Sequence, residues 1–439
     1  MRARYLSRVR LNSILNVNNQ VGSSPQKASL PTSLFRARVT LRIFFSLSLL
    51  ALVGLLGAVQ PSVTLASEVS SALHSSWENP RLWNQSANVP TLVIPPILAS
   101  STPSSTPART PTPVETPTPV ETPTPVFASY FPARLGSKLS LHFIRNTPAS
   151  YQFLRDTVPP LVKLASDVGW SSTVRQDFPG MLIIGRLSQE NRTALAQMDP
   201  IRAANKYVTD LLPEYRANPS VDYWEGWNEF DPRTPDQWNW FVQFEGQRAC
   251  LMRYYGYKAV IGNFSTGRPE FNEMLMFLPA IRIGIKCGAI LGLHEYSAPN
   301  MQFGYSLAIP HRPAFSNRGL LTFRYRYWYE DIFKPLNLPI SLVITEAGVD
   351  GGVGGGRPGP AAVGGWLDFT RYWQDQGLGG DGAGVYTSQL AWYDSEMRRD
   401  PYVIGATIFT AGRPGGWDSF NVENVLPALT NYVAGMRNK

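Results

Sequence analysis

Eight short apolar runs, spread from Leu139 to Gly412, dictate what this chain can fold into. They are "LSLHFI" from Leu139, "LVKLAS" from Leu161, "MLIIGRL" from Met181 and "VDYWEGW" from Val221. "AVIGNFS" follows from Ala259, then "AILGLHEYS" from Ala289, "SLVITEAG" from Ser341 and "VIGATIFTAG" from Val403. A strand wetted on one face alternates apolar and polar residues. These runs barely alternate, as expected of strands buried on both faces. Amphipathic helical segments lie between most of them, such as "DPIRAANKYVTDLLPEYRA", "PDQWNWFVQFEGQRACLMRYYG" and "LLTFRYRYWYEDIFKPL". Asp199-Pro200 and Thr234-Pro235 read as helix starts, a capping side chain before a first-turn proline. Eight strands alternating with helices over about 300 residues predict an α/β fold, a (β/α)8 TIM barrel. A doubly wound open sheet is the alternative, because the first two helices are short. "GGVGGG" (Gly351–Gly356) is followed by "RPGP" and not by a helix, so it reads as a mobile loop and not as a dinucleotide site.

The segment before the first strand has a different character. The chain carries a net charge of +8. Eight of its 40 Lys and Arg fall within residues 1–42, and none of its 32 Asp and Glu does. The rest of the chain is therefore balanced, and the basic pI does not point to a nucleic-acid partner. An uncharged apolar run, "IFFSLSLLALVGLLGAV" (residues 43–59), and a small-residue stretch come next. Basic flank, apolar run and small residues make a secretory signal, or an uncleaved membrane tether through residues 43–59. In both cases the remainder is exported, to an extracellular or cell-surface location. Residues 67–126 follow as a linker, ending in the repetitive "TPTPVETPTPVETPTPV" (residues 110–126), a stiff polyproline-like stalk. The expected organisation is a leader over 1–66, a Thr/Pro-rich linker over 67–126 and a barrel over 127–439.

Chemistry in such a barrel sits at the C-terminal ends of the strands. The fourth strand ends in Trp227-Asn228-Glu229, the sixth in His294-Glu295-Tyr296, and the seventh in Thr345-Glu346-Ala347-Gly348. Strand alternation turns His294 and Tyr296 one way and Glu295 the other. Glu229 and Glu346 are spaced as strands four and seven, facing each other across the mouth. Two carboxylates across a cleft suit glycoside hydrolysis, one as acid and base, the other as nucleophile. The acid must be protonated near neutral pH. Trp224, Trp227 and Phe230 are expected to desolvate Glu229, with the charge of Glu346 adding to the effect.

"GWNEF" and "LVITEAG", in this order and at these strand ends, resemble the paired motifs of clan A retaining glycoside hydrolases. That family includes cellulases, mannanases and β-xylosidases. The resemblance spans roughly residues 135–439. It implies Glu229 as acid/base, Glu346 as nucleophile and Asn228 on the sugar 2-hydroxyl. It also implies His294 and Tyr296 near the site, with the tyrosine holding the nucleophile. Two departures stand out. Many members have proline after the acid/base, and this chain has Phe230. An arginine near the end of strand two is common, and none is evident here. Arg186 on strand three either takes its place or forms an outer ion pair.

Trp227 and Trp417 are the candidate sugar-contacting tryptophans, the latter in "GRPGGWDSF" after strand eight. The expected function is thus an exported retaining hydrolase of β-linked oligo- or polysaccharides, acting as a monomer with no cofactor. The alternative is a barrel that binds sugars or cell-wall polymer without turnover. The four histidines are scattered and predict no metal site. Cys250 and Cys287 are the two cysteines, forming either one disulfide or two free thiols.

Overall fold

The structure is a computed structural model, and it describes residues 136–188, 192–353, 356–361, 364–412 and 415–437. The leader, the 43–59 run and the Thr/Pro linker lie outside the described residues. Among the described residues no helix is long and apolar enough to cross a membrane.

All eight apolar runs become parallel strands. They are β1 (Leu139–Phe143), β2 (Leu161–Ala165), β3 (Leu182–Arg186), β4 (Tyr223–Glu225), β5 (Ala259–Phe264), β6 (Ile290–Ser297), β7 (Leu342–Val349) and β8 (Val403–Ala411). They pair in sequence order, and β1 pairs with β8, so the sheet closes into a barrel. Closure excludes the open sheet.

Helices cover the barrel. The first two are short, α1 (Pro148–Thr157) and α2 (Ser171–Asp177), followed by α3 (Arg192–Ala196). In α4 (Pro200–Ala217) the Asp199 carboxylate accepts from the amides of Ile201 and Arg202 at 3.1 and 3.0 Å. In α5 (Pro235–Tyr254) Thr234 Oγ1 accepts from Gln237 N at 3.3 Å. Both caps are those the sequence predicts. Next come α6 (Phe271–Lys286), the single α-turn α7 (Tyr325–Trp328), α8 (Thr370–Asp375), α9 (Gly382–Met397) and α10 (Leu426–Gly435). The expected long helix over "LLTFRYRYWYEDIFKPL" is therefore shorter, an α-turn continued by a π-turn, Tyr329–Phe333.

Cys250 and Cys287 are disulfide-bonded, with a Cα–Cα distance of 5.0 Å, joining α5 to the C-terminus of α6. The double variant Cys250→Ser/Cys287→Ser is expected to lose about 2–4 kcal/mol in urea unfolding. The described residues at the base of the glycine-rich loop after β7 are hydrogen-bonded to one another. Gly351 N donates to Gly364 O at 2.7 Å, and Arg357 donates to Gly351 O and Pro360 O at 2.8 and 2.9 Å.

The barrel interior is layered. Leu161, Ile184, Tyr223, Val260, Ile290 and Val343 plug it in one apolar cluster. A strand turns every second residue to the same face. Two positions beyond Leu161, Ile184 and Tyr223 stand Lys163, Arg186 and Glu225, so a charged layer rests directly on the apolar plug.

Candidate active site

Glu346 projects from β7 into that charged layer and is buried. Its Oε1 accepts from Lys163 Nζ at 3.0 Å and from Arg186 Nη1 at 2.6 Å. Its Oε2 accepts from Tyr296 Oη at 2.8 Å. Burial alone would raise its pKa. The charge of His294, then of Lys163 and Arg186, outweighs burial and holds the carboxyl well below its ordinary value of 4.5. Glu346 is thus a buried, ionised carboxylate. Tyr296 stays protonated, because burial and then the Glu346 charge push its hydroxyl well above 10.

Arg186 settles the question left open by the sequence. It reaches into the barrel, where Nη1 bonds both Glu346 and the Asn228 side-chain oxygen. The strand-two cation is a lysine. Lys163 is buried between Glu346 and Glu225, 3.0 Å from an oxygen of each. Burial, then Arg186, lowers its pKa against the pull of the two carboxylates. His142 from β1 lies 3.7 Å from Glu346 Oε1. Burial, reinforced by Lys163, keeps its pKa well below 6.5 and the ring neutral.

Sequence reasoning missed Lys163, Glu225 and His142. The signal for the first two was present. Each is a charge within an apolar run, two residues from a residue of the barrel plug, so alternation aims both inward.

Glu229 stands at the turn after β4. The turn is built from behind by a buried pair on α5, where Arg248 donates to both Glu245 oxygens at 3.0 and 2.7 Å. Gly226 is required there, because a Cβ would lie 2.9 Å from the Arg248 guanidinium. The backbone of Glu229 is left-handed, with φ of 50°. Such a conformation costs about 1–3 kcal/mol in a residue with a side chain and re-aims it sharply. The carboxylate meets His294, whose Nδ1 is 2.7 Å from Glu229 Oε1 and 3.6 Å from Glu346 Oε2. One imidazole nitrogen thus bridges both carboxylates.

The aromatics around Glu229 do not play the part expected of them. Trp224 and Trp227 are buried, and they point away from the mouth. Trp227 stacks on Phe244 and Trp240 of α5, with centroids 4.5 and 5.6 Å away. Phe230 packs on Trp240 and Phe241. The Glu229 side chain is 37% exposed, so these rings do not enclose it. Trp227 is 2% exposed and offers no face to a sugar. Alternation sends Trp224 to the helix layer, since its neighbours Tyr223 and Glu225 face inward, whereas Trp227 and Phe230 lie beyond β4, in the turn that carries them onto α5.

Trp417 is different. It is 48% exposed and stands edge-on to Phe409 and Phe420, at 5.4 and 5.5 Å. Those rings cluster with Tyr296, the donor to Glu346. An aromatic wall therefore runs from the buried carboxylate to an exposed indole.

Glu295 faces away from the mouth, as alternation requires, and accepts from Tyr393 Oη at 2.6 Å. Burial pushes its carboxyl up to about 7. A folded-state pKa above the unfolded one favours the protonated form, so stability falls as pH rises from about 4.5 to about 7. Glu295→Gln removes that loss. Its stability relative to wild type is expected to improve by about 3 kcal/mol between pH 5 and pH 8, read from urea midpoints.

No family model matches the chain, and no curated protein matches it. Similar solved structures include a family 39 glycoside hydrolase from the gut symbiont Bacteroides cellulosilyticus WH2. It is 13% identical over 69% of this chain and 64% of its own, with a TM-score of 0.46. A β-glucuronidase from Ruminococcus gnavus is 12% identical over 67% of this chain and 49% of its own, with a TM-score of 0.40. An endo-β-1,4-mannanase from Thermotoga petrophila is 10% identical over 71% of this chain and 79% of its own, with a TM-score of 0.39. The chain thus spans about two thirds and about half of the first two structures it resembles, and these solved structures are glycoside hydrolases.

Proposed function

We propose that the chain is a retaining glycoside hydrolase acting on β-linked glycans. One observation carries this reading. Carboxylates from the ends of β4 and β7 meet on the same nitrogen of His294, the buried one ionised and braced, the other open to solvent. Since that nitrogen is 2.7 Å from one oxygen and 3.6 Å from the other, the two oxygens are no farther apart than the sum of these distances. Such an approach is compatible with the roughly 5–5.5 Å spacing of the two carboxyl groups in retaining enzymes.

In this reading the Glu346 carboxylate attacks the anomeric carbon while Glu229 gives its proton to the departing glycosidic oxygen. The carbon–oxygen bond to the leaving group breaks, and a glycosyl ester on Glu346 forms. Glu229, now a carboxylate, takes a proton from water as the water attacks the same carbon. The sugar leaves, Glu346 is freed as a carboxylate, and Glu229 is protonated again. Lys163, Arg186 and Tyr296 keep Glu346 ionised and fixed in direction. Asn228, anchored by Arg186, is placed to meet a sugar hydroxyl, and Trp417 offers a stacking face at the rim. A purely sugar-binding barrel has no need of an ionised carboxylate buried at such electrostatic expense.

The reading includes export, through the basic leader and the apolar run 43–59, with the Thr/Pro linker as stalk. It is tested by screening aryl β-glycosides and β-linked polysaccharides against wild type, Glu229→Ala and Glu346→Ala. Turnover by wild type that both variants lose is expected. Equal residual rates in the three proteins would contradict it.

A further inference from the structure

We propose that Arg192 is a positioning residue for Glu229, a clamp that holds the turn after β4 in its left-handed conformation. The inference rests on the glycosidase reading and adds a residue that the sequence did not single out. Arg192 opens α3, in the loop region after β3. Its Nη1 donates to Asn228 O at 2.7 Å and its Nη2 to Glu229 O at 3.1 Å. Two nitrogens of one planar guanidinium thus grip two consecutive carbonyls. The same group lies over the Phe230 ring at 5.0 Å and near Trp227 at 5.9 Å.

The clamp answers a physical need. Glu229 has φ of 50°, a conformation that its own side chain disfavours. A proline after the glutamate would favour extended backbone in the residue before it, which Phe230 does not, and contacts on both sides of Glu229 hold the left-handed turn. On the amide side Glu229 N donates to Asn263 O at 3.0 Å. On the carbonyl side the restraint is Arg192. Only arginine has the rigid fork that serves two acceptors at once, and its charge persists at every working pH. Phe230 then has a use of its own, as a ring on which the guanidinium rests.

A misplaced general acid has a signature that a general loss of structure lacks. It slows cleavage of poor leaving groups, which need the proton, far more than good ones, which do not. With Arg192→Ala, kcat/KM for an alkyl β-glycoside is expected to fall about 100-fold, against less than about five-fold for the dinitrophenyl glycoside of the same sugar. KM should change little, and millimolar guanidinium added to the assay should restore part of the alkyl-glycoside rate. Arg192→Lys keeps the charge but loses the fork. It should show the same leaving-group dependence in weaker form, and it carries the comparison if Arg192→Ala unfolds. Equal losses across the leaving-group series, or a loss confined to KM, would overturn the clamp. If wild type turns over no glycoside, or Glu346→Ala is as active as wild type, the glycosidase reading fails and the clamp with it. An active wild type with a flat leaving-group response in the Arg192 variants sinks the clamp alone.

Discussion

Glu346→Ala is expected to lose activity by about 10⁵-fold, the scale on which removing a covalent nucleophile acts. The loss should be the same for good and poor leaving groups, because both need the bond to Glu346. A second effect follows from burial. Lys163 is fully buried between Glu346 and Glu225, and Arg186 is 2.6 Å from Glu346. Removing one carboxylate leaves two cations facing one anion, a change that destabilises buried networks by about 3–5 kcal/mol. Lys163 can relieve part of this by releasing its proton, since burial already lowers its pKa. Thermal unfolding at pH 6 and pH 9 checks the point, with the variant losing less stability at the higher pH. Glu346→Asp separates the two effects, as it keeps the negative charge in the network and withdraws the nucleophile by one methylene. The pH dependence has a definite sign. The folded-state pKa of Glu346 is depressed, so its contribution to stability is complete above about 4.5 and is lost only as pH falls through the lower folded value. The acid limb of the rate profile should not be set by Glu346 near pH 4.5.

Glu229→Ala is expected to divide substrates instead. For glycosides with poor leaving groups, loss of the general acid should lower kcat/KM by about 10²–10⁴-fold. A dinitrophenyl glycoside needs no proton, so its glycosyl ester on Glu346 should still form. Its hydrolysis should then stall, because no base activates water. A burst of one equivalent of dinitrophenol followed by a slow steady state is the expected trace. Added azide, a nucleophile that needs no base, should speed the second step and yield a glycosyl azide. A uniform loss for both substrate types would remove Glu229 from the acid/base role. The partner of Glu229 matters to this outcome. His294 bridges the two carboxylates, and in the variant its Nδ1 retains Glu346 at 3.6 Å. Substitution of Glu229 thus leaves the surroundings of Glu346 in place.

How much of this was legible in the sequence depends on the kind of feature. The eight strands were, because burial on both faces leaves an apolar run that few other structures produce. The direction of His294, Glu295 and Tyr296 was, because alternation is geometric. The brace of Glu346 was legible only in part. Tyr296 and Arg186 stood at strand ends, whereas Lys163 sits inside a run that reads as core. Its role emerges once the neighbouring strands are aligned and Leu161 is seen to belong to the plug. Trp227 was misread because composition does not say which face a tryptophan occupies, and α5 supplies Phe244 and Trp240 to receive it. The exposure of Glu229 was hidden for the same reason. Arg192 could not be read at all, since its partners are backbone carbonyls, which leave no mark in a sequence. The short π-turn at Tyr329–Phe333 likewise departs from a pattern that reads as a plain helix.

The anomeric configuration of the first product tests the central claim most directly. A β-aryl glycoside of whichever sugar the enzyme accepts is followed by proton NMR from the moment of mixing, before mutarotation mixes the anomers. Two displacements at one carbon, through an ester on Glu346, predict that the β-hemiacetal appears first. An α-hemiacetal as the first product would mean a single displacement by water, and would contradict the role assigned to Glu346.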